Sequence, residues 1–461
     1  MSASNLGEGF YPSHPVNRAD SDAERVPLYA IAVIAIPTGL FVVGVLAFIF
    51  FAAFLLSGIF GPTPKYDIVN REQLPSNDSP EFLLLAEAMV DAKVNRTGTL
   101  EVLKNGPAFY SAELDAIRNA RRSVNLEAYI FQKSAIGTKY LEAMAERARS
   151  GVEVNVVVDA FGSAGATRSF LRPLLDAGGK VRRYNSPAWY RMTRLDNRTH
   201  RELLIVDGQV GFIGGAGVAD QWFSGSHGQP RWRDTVVRVE GEAVTNLQAT
   251  FAENWLHASG ELLAGNAYFP DIACPQKTAA MIVNSTPTVG GSTRARVLFQ
   301  LLLASARRSI SITTPYFLPD KSLTRELCRA IQERGVKLRI LVPGHKSDHL
   351  LTRSTSRGGY GPLLKAGAEV YEYEPSMIHA KVLCVDGLWG VVGSTNFDNR
   401  SFGINDEVNL AVCDSAFAER LERDMSADLE RSRRVSLEEW RTRPVTERAP
   451  ELLGWILERQ Q

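Results

Sequence analysis

The sequence is poor in cysteine and shows no excess of either charge. Its four cysteines are scattered without C-x-x-C spacing, which argues against a zinc site and against a disulfide framework. Lysine and arginine total 52, and aspartate and glutamate total 51. No overall field therefore attracts nucleic acid, and we expect no nucleic-acid partner. An anionic substrate must instead be held by local groups.

Charged residues are also missing from an apolar run between Leu28 and Phe60. A helix of about 20 residues crosses a bilayer, so residues 28–60 predict one uncleaved transmembrane segment that is tilted or kinked near Pro37. A re-entrant hairpin is the alternative. The polar residues 1–27 predict a disordered tail. The predicted location is the cell membrane, and the balanced flanking charges leave the side of the membrane open.

After a proline-rich linker, predicted over 61–94, the chain repeats itself. Residues 121–131 are echoed by 307–317, and 151–158 by 335–342. Each repeat alternates strands with helices and ends in a hairpin, which predicts two homologous α/β sandwich halves around a pseudo-twofold axis. The predicted boundaries are 95–262 for the first half, 263–290 for an inter-half linker, 291–435 for the second half and 436–461 for a helical tail.

A strand-like apolar run in the second half carries His379 and Lys381 two residues apart. The period of a strand places both side chains on one side of a sheet. After an Asp-Gly turn at 386–387, a second run ends in a small-residue loop with Ser394 and Asn396. These residues offer an imidazole, a cation, a hydroxyl and a carboxamide, which together can bind phosphate. A half-buried strand with a structural histidine is the alternative.

The pattern His-x-Lys-x-x-x-x-Asp followed by Gly-Ser-x-Asn resembles the signature of the phospholipase D superfamily, and residues 200–207 carry a second copy of its first part. The resemblance covers about residues 95–435 and implies a bilobal α/β fold. The apolar run at the amino terminus and the basic, aromatic residues 189–194 make the chain similar to the bacterial cardiolipin synthase branch. Enzymes of that branch move a phosphatidyl group from one phosphatidylglycerol to another.

This resemblance implies a mechanism with two histidines. His200 would attack phosphorus to form a phosphohistidine, and His379 would protonate the leaving oxygen and later activate the acceptor. The two roles are formally exchangeable, and the sequence alone does not assign them. Lys381, Ser394 and Asn396 would bind the substrate phosphate. No cofactor is expected, and no cluster has the spacing of metal ligands.

Four carboxylates complete the set of catalytic candidates. The resemblance implies that Asp234 and Glu407 each orient the histidine of the opposite half, and surface salt bridges are the alternative. Asp207 and Asp386 end the two motifs. Each of them precedes a glycine, which favours a turn-forming role over catalysis.

The first half departs from the family pattern at two positions. Glu202 stands where lysine is expected, and Gly217 stands where asparagine is expected. A carboxylate about 4 Å from a phosphate oxygen would repel it by roughly 4 kcal/mol at an effective dielectric of 20. Three interpretations follow. Glu202 is protonated or points elsewhere, with Arg194, Arg198 or Arg201 supplying the missing positive charge. Alternatively, Glu202 binds an amine headgroup or an acceptor alcohol, or the first half is degenerate.

The predicted function is that of a membrane-anchored phosphatidyltransferase acting on phospholipids, with phosphatidylglycerol as substrate. A hydrolytic phospholipase D or nuclease that uses the same intermediate is the alternative within enzymes. A lipid-binding scaffold with weakened catalysis is the alternative outside them. The acceptor alcohol and the oligomeric state do not follow from the sequence.

Overall fold

A computed structural model describes residues 41–51, 66–186, 197–226, 228–272, 278–287 and 293–444. The chain divides into two compact units, residues 1–62 and 63–461. In the first unit, residues 41–51 form a helix whose large apolar side chains are exposed. Among the residues that the structure describes, no helix is long and apolar enough to cross a bilayer. The predicted tail over 1–27, most of the predicted span over 28–60 and residues 445–461 lie outside them.

The second unit is built on one 15-stranded sheet, with a separate two-stranded sheet beside it. The strands of the first half and of the junction are β1 (Val94–Lys104), β2 (Ser123–Ala128), β3 (Glu153–Asp159), β4 (Lys180–Tyr184), β5 (Leu203–Val206), β6 (Val210–Gly214), β7 (Thr235–Gly241) and β8 (Thr278–Ser285). The remaining strands are β9 (Ser309–Thr313), β10 (Phe317–Leu318), β11 (Lys337–Pro343), β12 (Glu369–Tyr373), β13 (Val382–Val385), β14 (Trp389–Gly393), β15 (Phe397–Asp398), β16 (Glu407–Cys413) and β17 (Ser432–Val435).

Helices cover both faces of the sheet. They are α1 (Pro80–Val90), α2 (Gly106–Asn119), α3 (Ala135–Arg149), α4 (Arg168–Asp176), α5 (Asp220–Phe223), α6 (Ala243–Ser259), α7 (Arg294–Ser305), α8 (Lys321–Arg334), α9 (Leu350–Gly358), α10 (Tyr360–Ala366), α11 (Asn399–Gly403), α12 (Ser415–Leu429) and α13 (Leu437–Thr442), with a 3₁₀ turn at Arg71–Gln73.

The strand order shows the internal duplication. From one edge the sheet reads β4-β3-β2-β5-β6-β7-β1, and from the other edge, inside β17, it reads β12-β11-β9-β13-β14-β16-β8. The two series meet where β1 pairs with β8 in antiparallel register over Val94–Thr97. In each half the first three strands of the repeat are parallel, and the motif hairpin is antiparallel. The predicted α/β fold is confirmed, and the two series repeat one strand order within a single continuous sheet.

The segments predicted as linkers contain regular elements of the fold. Helix α1 lies within 61–94, where Ser79 caps its first turn and Pro80 occupies the first helical position. Its buried residues Phe82, Ala86 and Val90 recur at helical spacing and pack into the core of the second half. Strand β8 lies within 263–290 and forms half of the central strand pair, so this segment is part of the sheet.

Three large apolar cores pack against the sheet. One lies against the second half and one against the first. The third combines strand residues of both halves under α6 and α12, for example Ile213 and Val237 of the first half with Val392 and Val408 of the second. Because this core has no boundary between the halves, the halves fold as a unit, and the motif hairpins β5–β6 and β13–β14 hold a fixed relative position.

Candidate active site

Short backbone contacts across the two halves bring the predicted histidines to one place. The N–H of His200 donates to the carbonyl of Asp406 at 2.9 Å, and the N–H of His379 donates to the carbonyl of Arg233 at 2.7 Å. Each acceptor immediately precedes a predicted carboxylate partner in the sequence. The same backbone contact therefore occurs at each histidine, as expected for two halves related by a pseudo-twofold axis.

Each histidine contacts a carboxylate of the opposite half. Nδ1 of His200 lies 3.0 Å from Oε1 of Glu407, and Nδ1 of His379 lies 2.9 Å from Oδ2 of Asp234. A carboxylate at Nδ1 holds the proton on that nitrogen and leaves Nε2 available for chemistry. Both carboxylates are fully buried, so they are not surface salt-bridge residues.

Electrostatics set the resting charge of the pair formed by His379 and Asp234. Burial, together with the nearby Lys381 ammonium, lowers the pKa of His379 below its ordinary value, although Asp234 opposes the shift. Burial alone would raise the pKa of Asp234, but the hydrogen bond from His379 and the nearby charge of Lys381 lower it overall. The favoured resting state is therefore a neutral imidazole beside an aspartate anion.

Two tryptophans of the first half enclose His379. The rings of Trp222 and Trp232 lie 5.2 and 5.4 Å from the imidazole, centroid to centroid. Trp222 also donates its indole N–H to Oδ2 of Asp234 at 2.9 Å. His200 contacts an aromatic ring as well, since Tyr129 lies edge-on at 5.3 Å. These rings pack against the imidazoles and restrict their orientation.

Lys381 is buried against the second histidine. Its Nζ lies 2.8 Å from Nδ1 and 3.0 Å from Nε2 of His379, and it donates to the carbonyl of that residue at 2.9 Å. Burial lowers the pKa of Lys381, while the negative charges of Asp234 and Glu407 act in the opposite direction. A buried cation beside the reactive ring nitrogen is suited to hold a phosphate oxygen.

The two neutral residues of the second-half loop have different positions. Asn396 is buried and lines the cavity. The hydroxyl of Ser394 donates to the Glu407 carboxylate and accepts from the N–H of Val408 at 3.0 Å. The structure thus gives Ser394 a partner other than the predicted phosphate, and through Glu407 it supports the orientation of His200.

Asp207 and Asp386, which sequence analysis included among the catalytic candidates, lie at the far ends of the motif strands. Both adopt positive φ, 55° and 58°, as the turn prediction requires. The Asp207 carboxylate accepts backbone N–H groups of three consecutive residues that begin at Arg121. Asp386 does the same for three residues that begin at Arg307. Neither lines the cavity, so we assign them to the turns.

The altered residues of the first motif lie at the cavity wall. Glu202 is buried, lines the cavity and accepts the backbone N–H of Ile130 at 3.3 Å. Of the arginines predicted to replace the missing charge, Arg198 lines the cavity, and Arg194 lies outside the described residues. Arg201 does not fill this role, because its side chain is fully buried, is absent from the cavity wall and donates to Glu253 and Thr286.

The histidines open into a cavity of about 290 Å³. It contains no cluster of ligands suited to a metal, and none occurs elsewhere among the residues the structure describes. Several wall residues were not among the predicted site residues, namely Tyr129, Trp222, Trp232, Tyr316, Asp348, Asp398 and Arg400. Burial raises the pKa of Asp398 to about 6. Trp232 lies close to the predicted Asp234 in the sequence, and Asp398 and Arg400 follow shortly after the Gly-Ser-x-Asn loop. Their positions beside predicted site residues could have identified them as candidates.

Comparison with known proteins gives consistent matches. The family described as "Cardiolipin synthase, PLD-like domain" matches residues 114–255 and 300–429. Cardiolipin synthase 1 of Bacillus anthracis is 35% identical over 360 residues, which cover 76% of this chain and 70% of that protein. Major cardiolipin synthase ClsA of Bacillus subtilis (strain 168) is 33% identical over 399 residues, covering 86% and 81%.

A solved structure supports the fold independently. The phosphatidylserine synthase of Haemophilus influenzae Rd KW20 superposes with a TM-score of 0.63, and the match covers 81% of this chain and 99% of that chain at 14% identity. At that identity the similarity bears on the fold alone. The prediction of a cardiolipin synthase-like enzyme of the phospholipase D superfamily is confirmed by the family and sequence matches. The chain belongs to the cardiolipin synthase family with phospholipase D-like domains.

Proposed function

We propose that this protein transfers a phosphatidyl group from phosphatidylglycerol to the hydroxyl of a second lipid, as in cardiolipin synthesis. The observation that carries the proposal is the pair of histidines at one cavity, each held at Nδ1 by a buried carboxylate of the other half. Two oriented imidazoles provide a nucleophile and a proton donor for a phosphodiester, which resists attack because of its own negative charge.

The proposed reaction has two balanced steps. In the first step, Nε2 of one histidine bonds to phosphorus, the bond to the leaving glycerol oxygen breaks, and the second histidine gives that oxygen a proton. In the second step the now neutral second histidine takes the proton from the acceptor hydroxyl, whose oxygen bonds to phosphorus as the N–P bond breaks. Lys381 and Asn396 would hold the phosphoryl oxygens during both steps.

The structure supports one assignment of the two roles. An attacking imidazole must be neutral, and a donating one must be protonated. Because burial and Lys381 favour the neutral form of His379, we assign attack to His379 and proton donation to His200. This reverses the assignment implied by the family resemblance. Rapid denaturation during turnover, followed by mass spectrometry, would locate the phosphoryl group on the His379 peptide. Its presence on the His200 peptide would contradict the assignment.

We also propose that residues 28–60 anchor the enzyme in the membrane. The support is the apolar run itself, which contains no charged residue. An anchor raises the local concentration of lipid at the cavity. The full chain should remain with membranes after washing at alkaline pH, and release by that wash would contradict the anchor.

The function is tested by lipid turnover with the detergent-solubilised full chain. Labelled phosphatidylglycerol should yield cardiolipin, and the variant His379→Ala should yield none. Formation of phosphatidic acid alone would identify a hydrolase with the same intermediate. Absence of turnover with phosphatidylglycerol and with phosphatidylethanolamine, while lipid binding persists, would overturn the proposal in favour of a lipid-binding scaffold.

A further inference from the structure

The two departures from the family pattern in the first half are adjacent in space. A Cβ added at Gly217 would lie 3.0 Å from Oε1 of Glu202 and 2.6 Å from the carbonyl oxygen of Ile130. A side chain at 217 therefore meets both the glutamate and the backbone that holds it. Glu202 and Gly217 are therefore sterically coupled, because the glutamate carboxyl lies where a side chain at position 217 would have to fit.

Backbone contacts keep this loop in place. The N–H of Val218 donates to the carbonyl of Ile130 at 2.7 Å, and the hydroxyl of Tyr110 donates to the carbonyl of Gly217 at 2.5 Å. The N–H of Ile130 in turn donates to Glu202. The carboxyl is thus positioned by main-chain groups on one side, and the other side is the cavity that it lines together with His200.

Groups from both halves determine the charge of Glu202. Burial raises its pKa well above the ordinary value, and two backbone N–H groups and Lys381 oppose that shift. Asp234 adds to it. The phenols of Tyr110 and Tyr129 also interact electrostatically with this carboxyl, and His200 and Arg198 line the same cavity. The protonated form, which carries one O–H donor, is favoured at neutral pH.

We propose that Glu202 is a substrate-binding residue that donates the hydrogen of a neutral carboxyl to a phosphoryl oxygen, at the position where the second half uses Lys381. The inference rests on the proposed function and assigns a binding group to the half that lacks the expected lysine. Phosphate binding then requires Glu202 to stay protonated, because its carboxylate form would repel the same oxygen.

The consequence is a specific dependence on pH. The pKa of Glu202 is raised, so its protonated form persists at neutral pH and is lost as pH rises through that pKa. In the unmodified enzyme, kcat/KM falls on the alkaline side as protons are lost from the acid histidine, from Glu202 and from Lys381, whose pKa is lowered by burial. Each group that loses its proton adds a factor of up to about ten per pH unit to the slope.

The test compares variants across pH 5 to 10. Glu202→Gln keeps a donor that cannot ionise, so its alkaline limb should be shallower than that of the unmodified enzyme by about tenfold per pH unit. Glu202→Ala should lose at least tenfold in kcat/KM at the pH values where the unmodified carboxyl is protonated, and less at higher pH. The matched control is Glu113→Gln, since burial raises the pKa of Glu113 to about 7 and this residue contacts Tyr140 rather than the cavity. The control should keep the unmodified pH profile.

A binding measurement separates this inference from the proposed function. Glycerophosphoglycerol is a soluble phosphodiester whose single charge is constant over this pH range. Between pH 6 and 9.5 its affinity for the unmodified full chain should fall at least fivefold more than its affinity for Glu202→Gln, in which Lys381 still titrates. That result without any lipid turnover would reject the proposed function and retain the role of Glu202. Equal pH dependence in both proteins, or normal kcat/KM in Glu202→Ala, would overturn the inference.

Discussion

The two halves share the machinery that orients the histidines and differ in the groups that face the substrate. Each half contributes one histidine and one buried carboxylate that contacts the histidine of the other half. The second half adds Lys381, which contacts His379, and Asn396, which lines the cavity. At the corresponding positions the first half has Glu202, which lines the cavity, and Gly217. Both halves therefore orient a histidine in the same way, but the groups that they present to the substrate differ in charge.

The exchange of partners explains why the oriented pairs persist in both halves. Because the carboxylate of each histidine comes from the other half, a change in either half affects both imidazoles. The groups that contact phosphate act separately, since a neutral donor in one half can accompany a cation in the other. A site with one lysine also carries one positive charge fewer, which reduces the desolvation cost of the empty cavity.

The largest expected effect follows from removing either histidine. His200→Ala and His379→Ala should each lower kcat/KM for phosphatidylglycerol by roughly a thousandfold or more, because each step needs both rings. Their circular dichroism and thermal melting should match those of the unmodified protein. Activity within tenfold of the unmodified level in either variant would show that one half suffices.

The second largest effect on catalysis is expected from neutralising the carboxylate that contacts each histidine. Asp234→Asn and Glu407→Gln remove the anion that fixes each tautomer, and each should lower kcat by roughly a hundredfold. The double variant should lose far less than the product of the two losses, because both act on one shared reaction centre. Fully additive losses would indicate that the two pairs work independently.

A direct contrast between the halves comes from Lys381→Ala and Glu202→Ala. Loss of the ammonium removes a charge-assisted contact and should lower kcat/KM by roughly a hundredfold, against roughly tenfold for loss of a neutral donor. Steady-state kinetics in mixed micelles would measure both. An equal loss in the two variants would mean that the halves bind phosphate alike.

The sequence predicted the duplication and the two hairpins, because local apolar periodicity sets strands and turns. The spacing could also have excluded Arg201, since a residue between His200 and Glu202 in a strand faces the opposite side. The contact of Ser394 with Glu407 could not be predicted, because it joins a loop to a strand whose register is set by the tertiary fold.

Three further features, a tryptophan, a helix and a strand, were not predicted from the sequence. Trp222 follows the first small-residue loop and resembles a core residue, and only the packing of α5 places it against His379. Helix α1 was predicted as linker because a proline-rich stretch precedes it, although Ser79 and Pro80 are a recognisable helix start. The sequence before β8 shows no clear periodic pattern, and the role of β8 at the centre of the sheet depends on its pairing with β1.

The smallest expected effect on catalysis, and a clear one on stability, concerns the turn aspartates. Asp207→Ala removes the acceptor of three largely exposed backbone N–H groups and should lower the free energy of unfolding by about 1 kcal/mol. Asp386→Ala removes the same contacts at a more buried turn and leaves the buried amide of Asn77, which donates to it at 2.7 Å, without its acceptor. A loss of about 2–3 kcal/mol is expected there.

Urea unfolding of both variants measures the difference, while kcat of the folded fraction should change less than twofold. If the two losses were equal, burial would not distinguish the turns of the two halves, and a large fall in kcat would return these aspartates to the catalytic set.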